Sequence, residues 1–286
     1  MPFPWEVAVL AMVATTLLTG ALVRGDLASE AAQLDVMFEA LGGSTWKVKT
    51  GWEARAGGAS ASTESVCDYY GIVCSNNTAD GQLHVTAVYL AGNALDGELP
   101  ELAWDFPEMR EFDLTANRIS GTLPPAWGRW SKLEKLFLGS NTPPDEAAML
   151  ANGASYTYLR WYGLTLSSGI HGPLPPEWGA LTRLRMLALN TGARSTTDGF
   201  AGHDIPPEWA GMASLHFLNF ADSGLGTGGP LPSATLAAMP ALRIFSCRRC
   251  GYTSIPGELT SSRSLILVHF GHMPLNGPFP HHLWNW

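Results

Sequence analysis

The chain has 286 residues, 46% hydrophobic and 15% charged, with a formal net charge of −8. That balance excludes a nucleic-acid binder, which needs a basic face to neutralise phosphates. Four cysteines are too few for a small disulfide-stapled scaffold, and 31 Gly with 20 Pro punctuate the chain into many short elements.

Residues 1–25 read as a targeting segment. Val7 to Val23 contains no charged residue, and Val23-Arg24-Gly25 offers a cleavage point ahead of Asp26, although Glu6 replaces the usual positive n-region. The alternative is an uncleaved signal anchor that attaches the protein to a membrane, because the run sits at the short edge of what spans a bilayer. No later run approaches that length, and no hydrophobic tail suggests a lipid anchor.

Residues 26–84 read as a capping region. Leu34, Met37, Phe38 and Leu41 recur at helical spacing, and Gly42-Gly43 stops that helix. Trp46 and Trp52 follow. A small-residue stretch from Ala54 to Glu64 reads as a loop, and Cys67-Asp68-Tyr69-Tyr70-Gly71-Ile72-Val73-Cys74 closes the region. Asn76-Asn77-Thr78 is the one N-glycosylation sequon, with Asn76 as acceptor.

Residues 85–286 are repetitive. Val85 to Asn93 is followed by Leu95, Gly97 and Leu99-Pro100; the same pattern restarts at Met109 and again at Leu133. Further turns, with drift, begin at Leu159, Leu184, Leu215, Leu242 and Leu265, about eight in all. Trp127, Trp178 and Trp209 occupy one slot, each just beyond a Leu-Pro-Pro or Ile-Pro-Pro. One unit cannot bury its apolar strand face alone, so neighbouring units stack and share a core. The Asn after each early strand (Asn93, Asn117, Asn141) is expected to turn inward and satisfy the backbone of the bend. Ser167, Gly192, Ser223, Cys250 and Met273 stand there later, so those bends are expected to be less regular. Ala193 to Gly202 reads as an insertion in a solvent-facing bend.

The spacing L-x-x-L-x-L-x-x-N followed by L-x-G-x-L-P resembles the plant-type extracellular leucine-rich repeat, and the Cys67–Cys74 stretch resembles that family's N-terminal capping motif, with Tyr for the usual Trp. The likeness covers about residues 30 to 286. It implies a β-rich α/β fold: a right-handed solenoid with a parallel concave sheet and short helical or 3-10 turns on its convex side. It also implies a disulfide between Cys67 and Cys74, which export to an oxidising compartment supports, and a receptor-like protein without a kinase domain.

Other constellations carry less. Cys247-Arg248-Arg249-Cys250 falls on an inward Leu position and an Asn position, so the two read chiefly as small buried side chains, with a local disulfide as the alternative. Gly224, Gly226 and Gly229 spell G-x-G-x-x-G, but no carboxylate follows where a ribose would need one. His269, His272, His281 and His282 match no metal-site spacing, and no nucleophile elbow or kinase signature occurs. No cofactor, metal or catalytic residue is expected.

The expected function is recognition at the cell exterior, secreted or on the outer face of the plasma membrane, of a protein, peptide or glycan ligand. Alternatives are a secreted inhibitor of a foreign hydrolase and an adhesive component of a cell coat. Side chains beside the inward leucines face the concave surface. One row is Ala87, Glu111, Lys135, Trp161, Met186, Phe217, Ile244 and Leu267; a parallel row contains Tyr89, Asp113, Phe137, Gly163, Ala188, Asn219, Ser246 and His269. Trp161, Met186, Phe217, Ile244 and Leu267, with Tyr89 and Phe137, form the candidate ligand-binding stripe, expected to be exposed unless the insertion after Ala193 or tighter curvature covers it. The end at Trp284-Asn285-Trp286 shows no recognisable cap, so a truncation or a partner covering it is expected.

Overall fold

A computed structural model describes residues 26–53, 65–77, 79–102, 104–139, 169–192 and 199–277. Helix α1 (Leu27–Ala40) starts at Asp26, whose side chain accepts the Ser29 N–H, and Gly42 follows its end in the left-handed region at φ 67°. Its buried face of Leu34, Met37 and Phe38 meets the predicted tryptophans: Phe38 packs edge-on against Trp46 and stacks on Trp52. Cys67 and Cys74 are disulfide-bonded, with Cα atoms 5.5 Å apart.

That bond anchors β1 (Ile72–Asn76), which pairs antiparallel with β2 (Leu83–Tyr89) and so edges the main sheet. From β2 onward the pairing is parallel, through β4 (Glu111–Asp113), β6 (Lys135–Phe137), β8 (Met186–Ala188), β9 (Phe217–Asn219), β10 (Ile244–Ser246) and β11 (Leu267–His269). The central residues Val88, Phe112, Leu136, Leu187, Leu218 and Phe245 point into the core and are fully buried. Each such side chain contributes about 1.5–3 kcal/mol by leaving water.

The expected fourth turn is corrected by this order. Leu136 pairs directly with Leu187, so no strand stands between β6 and β8. Trp161, Gly163 and the rest of that turn lie outside the described residues. Hydrogen-bonded neighbours about 4.8 Å apart leave no room for a further strand. The strands of the units that begin at Leu133 and Leu184 are therefore adjacent.

A second, smaller sheet is formed by β3 (Asp96–Glu98), β5 (Arg118–Thr122) and β7 (Gly169–His171). It was not expected. It uses the L-x-G-x-L segments of the first two units and the segment at Gly169–His171. Beyond Ala193–Gly202 only the bridges Ala201–Gly226 and Pro230–Ser254 continue the pattern among the described residues.

The opposite wall consists of 3-10 turns at Pro125–Arg129, Pro176–Ala180, Pro207–Gly211 and Gly257–Ser261, and of helix α2 (Ser233–Ala238). The repeated Trp-Gly pair has two causes here. Trp127, Trp178 and Trp209 stack nearly parallel at 5.8 and 6.0 Å, and Trp178 and Trp209 each donate their indole N–H to a proline carbonyl one unit back, Pro124 and Pro175. The adjacent glycines let neighbouring turns touch, because a Cβ on Gly128 or Gly179 would come within 2.5 or 2.3 Å of the next turn's carbonyl oxygen. No described helix is long and apolar enough to cross a membrane.

Candidate ligand-binding face

The bends at Asn93 and Asn117 behave as the asparagines imply, while Asn141 and Ser167 lie outside the described residues. Asn117 is 3% exposed; its amide donates to the Leu90 and Leu114 carbonyls and accepts the Leu95 N–H. Asn93 bonds both the N–H and the carbonyl of Val48, tying the cap to the first unit. Ser223 replaces this with one acceptor contact from Leu225 N–H at 3.3 Å, a thinner bend. At Cys250 the outcome differs from the favoured sequence reading. Cys247 and Cys250 are buried, and they are bonded to each other. Arg249 takes φ 55° and Cys250 N–H returns to the Cys247 carbonyl, so a tight turn brings the two side chains together.

On the outward side the main sheet aligns the predicted rows. Ala87, Glu111, Lys135, Met186, Phe217, Ile244 and Leu267 stand in register across seven parallel strands, as do Tyr89, Asp113, Phe137, Ala188, Asn219, Ser246 and His269. The face has two halves. Toward the cap it is polar: Tyr89 donates its hydroxyl to Glu111 at 2.7 Å, and Lys135 pairs with the other Glu111 oxygen at 3.0 Å. Arg110 and Arg185 flank Glu134 beside this row. Burial, then the Glu111 carboxylate, holds the Tyr89 phenol well above its usual range. Burial raises the Asp113 carboxyl against the hydrogen bonds it receives from Thr115.

Away from the cap the face is apolar. Phe137, Met186, Ala188, Phe217 and Ile244 form a cluster separate from the core, with Leu267 packed against it. The expected exposure is corrected: Met186 and Phe217 are 1% exposed, Ile244 3% and Phe137 7%. Side chains from adjacent strands pack against one another in this cluster. Tyr89 remains 40% exposed, and Leu267 is half-buried. At the far end His269 is held below its usual range by burial and by the nearby Arg248, which with Arg249 clasps Asp222. His269 and His272 join no cluster suited to a metal among the described residues; His281 and His282 lie outside them. Asn76 is exposed, as a sequon requires, and ends β1 instead of standing in a loop.

Sequence reasoning missed a buried polar group behind this face. Glu30 of α1, His84 of β2 and Asp80 of the intervening hairpin meet around one imidazole. No local signal joins residues so far apart.

Parallel strands in one register, inward asparagines and stacked convex turns define the architecture. The fold is a leucine-rich-repeat solenoid. It resembles the extracellular parts of plant receptor kinases. No family model matches the chain. A probable leucine-rich repeat receptor-like serine/threonine-protein kinase of Arabidopsis thaliana is 41% identical over 56 residues, 20% of this chain and 6% of that protein. MDIS1-interacting receptor like kinase 2, also of Arabidopsis thaliana, is 34% identical over 74 residues, 25% of this chain and again 6% of the relative. The chain thus aligns with a small fraction of these relatives' length. Among solved structures, the ectodomain of the receptor kinase SOBIR1 from Arabidopsis thaliana aligns over 88% of this chain and 97% of its own, at 16% identity and a TM-score of 0.46. The BIR2 ectodomain, also from Arabidopsis thaliana, aligns over 80% and 97%, at 16% identity and a TM-score of 0.43.

Proposed function

We propose that this solenoid is an exported recognition protein, not an enzyme, that binds a protein or peptide ligand across its concave face, in the extracellular space or at the outer surface of the plasma membrane. The observation that carries the reading is the pair of in-register rows spanning seven parallel strands. An extended polypeptide crossing those strands meets the Tyr89–Glu111–Lys135 group at one end and the half-buried Leu267 at the other. The polar end sets the ligand's direction, because its charges are ordered and partly open to solvent. Accessible contacts fall at Tyr89 and Leu267. Phe137, Met186, Phe217 and Ile244 lie between them as the packed floor of the face, buried and out of a ligand's direct reach.

Substituting the floor is a poor test, since Phe217→Ala costs about 3–5 kcal/mol of stability by itself. The test uses the exposed end. The secreted protein is first used to capture its partner, identified by cross-linking and mass spectrometry. Y89A and K135E are then compared with the parent for affinity and Tm. We expect each to weaken binding at least about tenfold, or about 1.4 kcal/mol, with little change in Tm. Parent-like affinity in both variants would move the binding surface elsewhere.

A further inference from the structure

Glu30 is completely buried, and His84 is 3% exposed. One Glu30 oxygen accepts the Val85 N–H at 2.7 Å and the other lies 3.0 Å from His84 Nδ1. On the opposite side of the ring, His84 Nε2 lies 3.0 Å from Asp80 Oδ2. A neutral imidazole has a single N–H, so it would satisfy one carboxylate and aim a lone pair at the other. Only the imidazolium donates on both sides. The group also joins two parts of the structure, since Glu30 lies on the capping helix while His84 and Val85 lie on the first strand of the repeat array.

We propose that Glu30, His84 and Asp80 form a proton-held latch, which docks the N-terminal helix tightly on the repeat array in mildly acidic medium and weakens in alkaline medium.

The surrounding charges agree with this sign. Asp80 is tied down by Asn77 Nδ2 and the Gln82 N–H, and Asn77 Nδ2 also donates to Glu108, which Lys132 neutralises at 2.6 Å. Asp105, on the segment packed beside α1, adds a further negative charge toward Glu30. Burial alone would lower His84, but the hydrogen bonds and charges of Glu30 and Asp80 outweigh it and leave the imidazole above its ordinary 6.5. A group raised on folding stabilises fully below its unfolded pKa and loses that contribution as pH climbs through the folded value. Glu30, raised chiefly by burial, acts in the same direction. Asp80, lowered chiefly by its bond from Gln82, contributes above its ordinary 3.8 and loses that contribution as pH falls through its folded value. The His84 and Asp80 contributions are therefore both present from the ordinary carboxylate range to about 6.5, while that of Glu30 declines from its ordinary 4.5 upward, so every step above 6.5 weakens the latch.

The test is hydrogen–deuterium exchange of the full chain at about pH 5.5 and about pH 8.5, corrected for intrinsic chemistry, following peptides that contain α1 and Val85. Protection is expected to fall by up to about tenfold per pH unit above the folded value of His84. H84Q should lower protection and flatten that pH dependence. Because H84Q risks misfolding, the imidazole is also titrated by NMR in the unmodified chain and in D80N, whose side chain is partly exposed. A midpoint above 6.5 that drops in D80N supports the latch. A midpoint at or below 6.5, an unmoved midpoint in D80N, or pH-independent protection in the parent would overturn it.

Discussion

Replacing Trp178 with Ala probes the stacked wall on which the concave sheet rests. Trp178 is fully buried, with its ring 5.8 Å from Trp127 and 6.0 Å from Trp209, and its indole N–H reaches the Pro124 carbonyl at 3.0 Å. Truncating a buried Trp costs about 3–5 kcal/mol, a figure that already includes its lost contacts. The Pro124 carbonyl, left without its donor, adds about 1 kcal/mol. The expected loss of about 4–6 kcal/mol compares with a total stability of about 5–15 kcal/mol for ordinary domains. Position matters as well as size. In a stack where each unit touches its neighbours, damage at the centre uncouples the two ends. W178A should therefore lower the urea midpoint and broaden the transition measured by far-UV circular dichroism. W178F keeps a ring in the stack and removes the donor, so it should cost about 1–2 kcal/mol and leave a single transition. A W178A loss below about 1.5 kcal/mol, or equal losses in the two variants, would refute this account of the Trp ladder.

Gly179→Ala should destabilise by about 1–3 kcal/mol, because its new Cβ meets the Glu208 carbonyl oxygen at 2.3 Å; Gly257→Ala, with no atom within 4 Å, should be neutral in the same thermal melt. C67S should cost about 2.5 kcal/mol from its short closed loop and raise exchange in β1, while non-reducing peptide mapping of the parent should recover Cys67 joined to Cys74. N-terminal sequencing of secreted material should begin near Asp26, which then serves as the helix N-cap from the first residue; an intact Met1 on a membrane-bound product would show an anchor instead.

The repeat period and the side that each strand residue faces were determined by the sequence itself. Inward leucines, the Asn-bearing bends and the Trp slot recur locally, and each repeats one packing environment, so spacing alone identifies them. The same locality explains why both concave rows were aligned correctly wherever the strands are described.

Tertiary structure decided what lies between and above those positions. The spacing around Leu159 suggested a strand between β6 and β8, yet these two pair directly, because strand adjacency is set by hydrogen bonding in space, not by spacing along the chain. Cys247 and Cys250 occupy positions suited to small side chains, and only the Arg249 bend brings their sulfurs together. Phe217 and Met186 face outward as expected and are nevertheless buried, in a cluster that forms only once the strands stand side by side. Glu30 and His84 are separated by 54 residues, and each looks like an ordinary polar residue in its own element. A buried carboxylate becomes tolerable only when folding supplies its partners, so only the folded chain shows the pair as a unit.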